Sequence, residues 1–184
     1  MKKAILLNLS MILCFGVTFG QGIYKATSGE ISFFSEAPME NIEAHNTQIK
    51  ALINTDKKEI AFVVPVIGFK FKKPLMEEHF NENYMESDKY KTAQFTGKIE
   101  GDVDFKTNGT YDATGKGKIN IHGVEQERDF KGTITVDGDK VNLTCNFKVK
   151  LEDHKIDIPK MVIKNIAEEV DVKVTTTFEP KASK

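Results

Sequence analysis

The sequence predicts an all-β domain of about eight long antiparallel strands, with one short helix set among them. Three observations carry this. From Val141 to Leu151 apolar and polar residues alternate without a break: Val141, Leu143, Cys145, Phe147, Val149 and Leu151 against Asn142, Thr144, Asn146, Lys148 and Lys150. Side chains alternate faces along a strand, so period two means one dry face and one wet face. The pattern recurs from Ala93 through Phe95, Gly97, Ile99, Gly101 and Val103 to Phe105, and again at Val170, Val172, Val174, Thr176 and Phe178. Only one stretch changes period. Eleven strand residues at about 3.3 Å each reach roughly 36 Å. Antiparallel strands of that length with a single apolar face close into a barrel or stack as a sandwich.

The elements follow in chain order. Lys2 and Lys3 precede an apolar stretch from Ala4 to Val17, and Thr18-Phe19-Gly20 ends it with small residues. This is the pattern of a secretory signal peptide over residues 1–20, cut near Gly20. The competing reading, an uncleaved anchor, suffers from a short apolar core interrupted by Asn8 and Ser10. Cys14 follows Leu13 and lacks the small preceding residue that lipid attachment wants. Tyr24 to Ala37 reads as a strand pair or one bent strand, with Ile31, Phe33 and Ser35 on one face. Ala44 to Ile53 reads as one strand with Thr47, Ile49, Ala51 and Ile53 inward. A turn at Asn54-Thr55-Asp56-Lys57 leads into Glu59–Val66, with Ile60, Phe62, Val64 and Val66 inward, so the pair forms a hairpin.

From Pro74 to Met85 the apolar spacing is three and four residues, through Leu75, Met76, His79, Phe80 and Tyr84, which marks an amphipathic helix opened by a proline. Asn108-Gly109 between alternating runs predicts a tight hairpin, and Asp137-Gly138 predicts the next. A short irregular piece is expected around Pro159 to Ala167. Several inward positions are small: Gly97, Gly101, Ala113, Gly115, Gly117 and Gly132. They leave room beside large apolar neighbours, or they let the strands coil and bend; the sequence supports both.

Composition removes several classes of function. Without Lys2 and Lys3, the 26 basic residues fall to 24 against 27 acidic ones, a net charge of −3. No basic stripe suggests nucleic acid. After leader removal Cys145 is the one cysteine, so no internal disulfide forms, and a bacterial envelope suits such a domain better than an animal extracellular space. Its place on an apolar face makes Cys145 a small buried hydrophobe. The four histidines, His45, His79, His122 and His154, show no metal-ligand spacing, and no cysteine joins them. No nucleophile elbow or Cys-His pair suggests covalent catalysis. His79, on the predicted helix beside Met76 and Phe80, either hydrogen-bonds a ligand head or is a structural histidine bonded to a backbone carbonyl. His122 ends a strand as turn structure, Asp153 and His154 read as a solvated loop, and Asp102 and Asp104 face outward.

The segment Lys118-Ile119-Asn120-Ile121-His122-Gly123-Val124 is similar to the "LTIHGV" segment of the YceI family of bacterial lipid-binding proteins. Met76-Glu77-Glu78-His79-Phe80, then Ser87-Asp88-Lys89-Tyr90 and Ala93-Gln94-Phe95-Thr96-Gly97, resemble a second motif of that family. Leu151-Glu152-Asp153-His154-Lys155-Ile156, ahead of Ile166 to Val174, resembles a third. Where the family reads "KYP" this chain has Lys89-Tyr90-Lys91, which relaxes a turn. The resemblance spans nearly all of residues 22 to 179. It implies an eight-stranded extended antiparallel β-barrel, lipocalin-like in outline, that holds a long apolar ligand such as an isoprenoid quinone, a polyprenyl lipid or a fatty-acid amide. Eight strands independently allow one slim ligand. The chain has no Trp, so the Gly-x-Trp signature of true lipocalins is absent.

The expected function is non-catalytic binding, transport or sequestration of such a lipid by residues 21–184, exported to the periplasm or secreted. The expected cavity lining is Phe33, Phe62, Val64, Met76, His79 and Phe80 from the first half of the chain. From the second half it is Phe95, Ile99, Gly117, Ile119, Ile121, Ile134, Leu143, Cys145, Phe147 and Val172. No catalytic residue, metal or cofactor is expected, the lipid being a ligand. Neither nucleic acid nor stable membrane insertion after leader cleavage is expected, and a homodimer stays open. A lipid-modifying or isomerase-type enzyme would need an acid–base pair inside the barrel; a structural domain would have a filled core. Mature protein isolated from its native host should begin at or near Gln21. N-terminal sequencing that recovers Met1 would remove the envelope assignment.

Overall fold

The computed structural model describes residues 22–36, 41–158 and 168–181. The expected leader and the irregular piece at Pro159 to Ala167 lie outside the described residues. Ten strands occur among the described residues: β1 Ile23–Ser35, β2 Ile42–Asn46, β3 Lys50–Asn54, β4 Glu59–Pro65, β5 Lys70–Phe71, β6 Thr92–Glu100, β7 Gly109–Ile121, β8 Val124–Asp137, β9 Lys140–Lys150 and β10 Glu169–Pro180. Eight of them form a closed antiparallel ring in the order β1-β3-β4-β6-β7-β8-β9-β10, and β10 pairs back onto β1. β2 and β5 extend the wall beside the second half of β1.

β1 is the single bent strand of the two alternatives. Its register on β10 shifts between Ala26 and Ser28, so one extra residue bends it around the barrel. The expected strand Ala44–Ile53 is broken in two. Asn46 is fully buried at the break. Its Nδ2 donates to the Pro65 carbonyl at 2.8 Å and its Oδ1 accepts from the Gln48 amide at 2.8 Å. A side chain that satisfies nearby backbone groups competes with the ladder. Thr47 is consequently exposed and not inward, while Ala51 and Ile53 are buried as expected.

β6 stops at Glu100, short of the expected run to Phe105. Gly101 has φ +116°, which turns the chain out of the strand. The following loop tucks Val103 into the core, 4% exposed, beside Val136, Val141 and Phe178. Part of the alternating run is therefore a plug for one end of the barrel. The Asp104 carboxylate holds that loop by accepting from the Lys106 amide at 2.9 Å and the Thr107 hydroxyl at 2.7 Å. Asn108-Gly109 does not form the expected tight hairpin, because neither residue has positive φ. The Asn108 Oδ1 instead accepts from the Gly138 amide at 2.9 Å. The two-residue turn with both residues left-handed is His122-Gly123, at φ 53° and 74°, between Ile121 and Val124. Gly138, at φ 56°, turns β8 into β9 as expected.

The amphipathic segment is α1, Pro74–His79, continued by a π-helical turn over Phe80–Tyr84. Leu75 departs from its expected face and is 59% exposed. The core fills one end of the barrel, where Phe178, Val141 and Ile53 are each 0% exposed. Each such side chain contributes about 1.5–3 kcal/mol on burial.

Gly97 and Gly117 face each other across β6 and β7. A methyl on Gly117 would stand 2.1 Å from the Thr96 carbonyl oxygen and 2.5 Å from the Gly97 Cα. The glycine is there for close approach of two backbones and makes no room inside, which corrects its expected place in the lining. Gly117→Ala should therefore destabilise the fold by about 1–3 kcal/mol, the usual cost of overpacking. Unfolding by urea measures this; an unchanged midpoint would refute the close-approach reading.

Candidate functional site

A cavity of about 510 Å³ lies inside the barrel, within the range of small-molecule sites. Phe33 of β1, Phe62 and Val64 of β4, and Phe95 and Ile99 of β6 face it. So do Ile119 and Ile121 of β7, Ile134 of β8, Leu143, Cys145 and Phe147 of β9, and Val172 of β10. Met76, His79 and Phe80 face it from α1 and its π-helical continuation. The alternation placed these wall residues on one face, and curvature brought the faces together. Gly117 is not among the lining residues. Gly115 is, and a methyl there would meet the Phe95 ring at an ordinary 3.6 Å. Ala113 and Gly132 also border the space, whereas Gly97 and Gly101 do not. The inward small residues thus divide between ligand-sized space and backbone geometry.

One end of the cavity lies beneath α1, where four phenylalanines converge. Phe80 stacks on Phe33 with centroids 5.5 Å apart and meets Phe71 at 5.0 Å and Phe69 at 5.6 Å. Phe69 and Phe71 were absent from the expected lining, although they alternate with Lys70 and Lys72 in the sequence. A two-residue strand is too short for period two to announce itself. Tyr84, already legible on the helix face, also lines the cavity. The helix is pinned to the wall through Glu77, whose carboxylate accepts from Lys70 Nζ at 2.5 Å and the Phe71 amide at 3.3 Å. The Lys70 bond holds the Glu77 carboxyl below its ordinary range.

The covering segment is tied down at its far side by a second cluster. His122 is buried, with Nδ1 3.1 Å from the His154 carbonyl oxygen and Nε2 3.0 Å from Glu86 Oε2. Its ring meets the Tyr90 ring at 4.4 Å. His154 is 1% exposed, so the expected solvated loop is corrected at this residue: Glu152–His154 is a 3₁₀ turn that buries His154 and leaves Glu152 exposed. Burial holds the His154 imidazole below the ordinary histidine range, against backbone hydrogen bonding at Val124 and Ile121. His122 is turn structure and does not line the cavity, whereas His79 does. His45 lies on the surface between Glu30 and Glu43, at 3.1 and 3.2 Å.

Among the described lining residues only His79, Tyr84 and Cys145 are titratable. Burial raises the Tyr84 phenol and pushes the Cys145 thiol up to about 11. The Cys145 Sγ lies 3.2 Å from the Lys131 carbonyl oxygen, to which its S–H donates. Among the described residues no group of three or more histidine, cysteine or carboxylate side chains is placed to hold a metal ion. No described helix is long and apolar enough to cross a membrane.

A family model for the YceI-like domain matches residues 15–178. The fold is similar to that of a polyisoprenoid-binding domain from Saccharophagus degradans, with a TM-score of 0.72 and 13% identity over 88% of this chain and 99% of the other. BcnA of Burkholderia cenocepacia aligns with a TM-score of 0.68 and 15% identity over 81% and 95% of the two chains. The YCEI protein of Campylobacter jejuni aligns at 0.65 and 15% over 80% and 90%. No curated protein matches the chain. At these identities the solved structures speak to the fold.

The Cys145 thiol carries a prediction with a definite sign. Its pKa rises on folding, from 9.0 to about 11, so the folded state favours the neutral form. That contribution is complete below pH 9 and is lost as pH rises toward 11. The loss should total about 2–3 kcal/mol relative to Cys145→Ala at the same pH. Urea unfolding of both proteins from pH 8 to 11 measures it; parallel profiles would place the thiol in water.

Proposed function

The chain belongs to the YceI-like family, and from that premise we propose that its barrel binds a long apolar lipid and carries or sequesters it without catalysis. The observation that carries this reading is the predominantly apolar lining of the cavity, with Phe33, Phe62, Phe95, Phe147 and Val172 on its wall. A slim acyl or prenyl tail fits such a space. Each methylene taken from water contributes about 0.8 kcal/mol. A tail of about twenty carbons gains on the order of 10 kcal/mol, less the cost of association and ordering. Micromolar or tighter binding follows with few polar contacts.

The polyisoprenoid-binding description of the Saccharophagus domain supports a prenyl lipid as the ligand class. The chemistry of the lining supports a carrier over an enzyme. His79 and Tyr84 sit at the helix-covered end, and the Cys145 thiol stays protonated at neutral pH. No carboxylate among the described lining residues pairs with either as acid or base. The leader pattern at residues 1–20 supports a site of action in the bacterial envelope, where such lipids live.

Native mass spectrometry of protein purified from its host without detergent should show one bound lipid per barrel. Gly115→Leu should fill the space beside Phe95 and abolish uptake, with a thermal midpoint within a few degrees of wild type. A well-folded Gly115→Leu protein that takes up lipid as the wild type does would overturn the carrier reading.

A further inference from the structure

We propose that Glu86 and His122 form a proton-dependent latch on the helical cover, closed while the imidazole carries both ring protons and loosened when it gives one up. Only its consequence rests on the lipid-binding reading: the cavity exchanges ligand faster as pH rises through the histidine range. Both ring nitrogens of His122 face acceptors. Nδ1 lies 3.1 Å from the His154 carbonyl oxygen, and Nε2 lies 3.0 Å from Glu86 Oε2. A carbonyl oxygen only accepts, and so does an ionised carboxylate. A neutral imidazole has one N–H and satisfies one of the two, whereas the imidazolium satisfies both. The ring is 9% exposed and lies 4.4 Å from the Tyr90 ring, so water does not readily replace a lost bond.

The charged and titratable groups around His122 come from several elements. The end of the cover contributes Glu86, half-exposed, whose Oε1 lies 3.9 Å from Lys89 Nζ. The stretch ahead of β6 contributes Tyr90, with the Lys89 ammonium 4.6 Å from its ring centroid. The 3₁₀ turn contributes His154, itself neighboured by Asp153 and by Arg128 of β8. On the strands that His122 joins, Lys118 and Glu125 pair with each other at 2.8 Å. Burial holds His154 below the ordinary histidine range. Its contribution is therefore present where ordinary histidines titrate and is lost only as pH falls further.

Glu86 is also where the cover ends. Met85 beside it is buried with Val66 and Ile156, and the Ser87 amide reaches back to the Asn81 carbonyl at 2.8 Å. The Glu86 backbone has φ 42°, a left-handed conformation that a non-glycine residue keeps only where its surroundings hold it. Its carbonyl accepts from the Lys89 and Tyr90 amides at 2.8 and 2.9 Å. Losing the His122 bond removes one of these holds at the residue that joins cover to wall. Neither α1 nor its π-helical continuation contains a fully buried residue. One bond at the junction therefore weighs more here than it would in the wall.

The test compares the mature protein with Glu86→Gln and Glu86→Ala between about pH 6 and 8, the span in which histidine changes charge. Opening is read as hydrogen-exchange protection of peptides spanning Pro74 to Tyr90, corrected for the intrinsic pH dependence of exchange. Ligand exchange is read as the release rate of N-phenyl-1-naphthylamine, a neutral apolar fluorescent probe. In the wild type, protection should fall and release should quicken about five-fold as pH rises, the scale of one hydrogen bond. In Glu86→Gln the side-chain amide donates to a neutral imidazole, so the bond survives and both readings should stay slow and flat. Glu86→Ala lacks the bond at every pH and should be fast and flat. Thermal midpoints check that both variants fold, and His154, common to all three proteins, cannot produce the difference. Wild-type protection that stays flat across this span overturns the latch, and so does a Glu86→Gln profile that tracks the wild type. Protection that falls while release of bound probe stays flat overturns the control of ligand exchange. If the probe binds at no pH while protection follows the expected pattern, the latch stands and the carrier reading falls.

Discussion

The pairing of β1 with β10 is the constraint on which the rest of the molecule depends. It joins the first described strand to the last, from Tyr24 opposite Pro180 to Phe34 opposite Asp171. Without it, eight strands would make an open sheet whose apolar face needs a second layer. With it, Phe33, Val172 and Phe147, from three adjacent strands, face one another's side of a closed space. Closure leaves the eight-stranded ring without edges, with β5 as an edge beside it, and fixes an interior of limited width. The bulge between Ala26 and Ser28 gives β1 the bend that closure demands. β1 also divides its other edge, giving Ile23–Lys25 to β3 and Ile31–Ser35 to β2. Asn46 sits at that division and satisfies the backbone that the split would otherwise leave bare.

Around this ring the two ends have opposite treatments. One is filled by the Val103 loop against Val136, Val141 and Phe178. The other is covered by α1, which contributes no fully buried residue of its own. Its hold is local: an aromatic contact through Phe80 and a carboxylate through Glu77. An element with few buried apolar contacts opens more readily than the wall beneath it. That asymmetry suits the proposed binding of a ligand, with entry at the helix-covered end.

The three segments that resemble family motifs meet in space. His122 comes from the first, Glu86 and Tyr90 flank or belong to the second, and His154 comes from the third. They form the knot that ties the β7–β8 turn, the end of the cover and the 3₁₀ turn together. Gly123 belongs to the same knot, because a methyl there would stand 2.4 Å from the Tyr90 ring. The motifs are thus architectural. The same segments also carry part of the cavity lining, Ile119 and Ile121 in the first and Met76, His79, Phe80 and Phe95 in the second, while the rest of the wall is written in ordinary strand alternation.

Period-two alternation by itself determined the strands, their faces and most of the cavity wall. Phe62, Phe95, Ile119, Leu143 and Val172 could be placed because side-chain direction in a strand is a local property. The switch to helical spacing at Pro74 likewise marked the cover, with Met76, His79 and Phe80 turned inward. What the sequence left open was settled by contacts distant in the chain. Gly115 and Gly117 are identical in local pattern, yet one borders the cavity and the other meets the Thr96 backbone. The run from Ala93 to Phe105 alternates throughout, yet Gly101 turns it into a strand and a plug. His154 reads as a loop residue and is buried because His122 and the strands beside it close over the turn. Alternation says which way a side chain points. Only barrel closure says what it meets there, because that depends on curvature, register and the neighbouring strand's backbone.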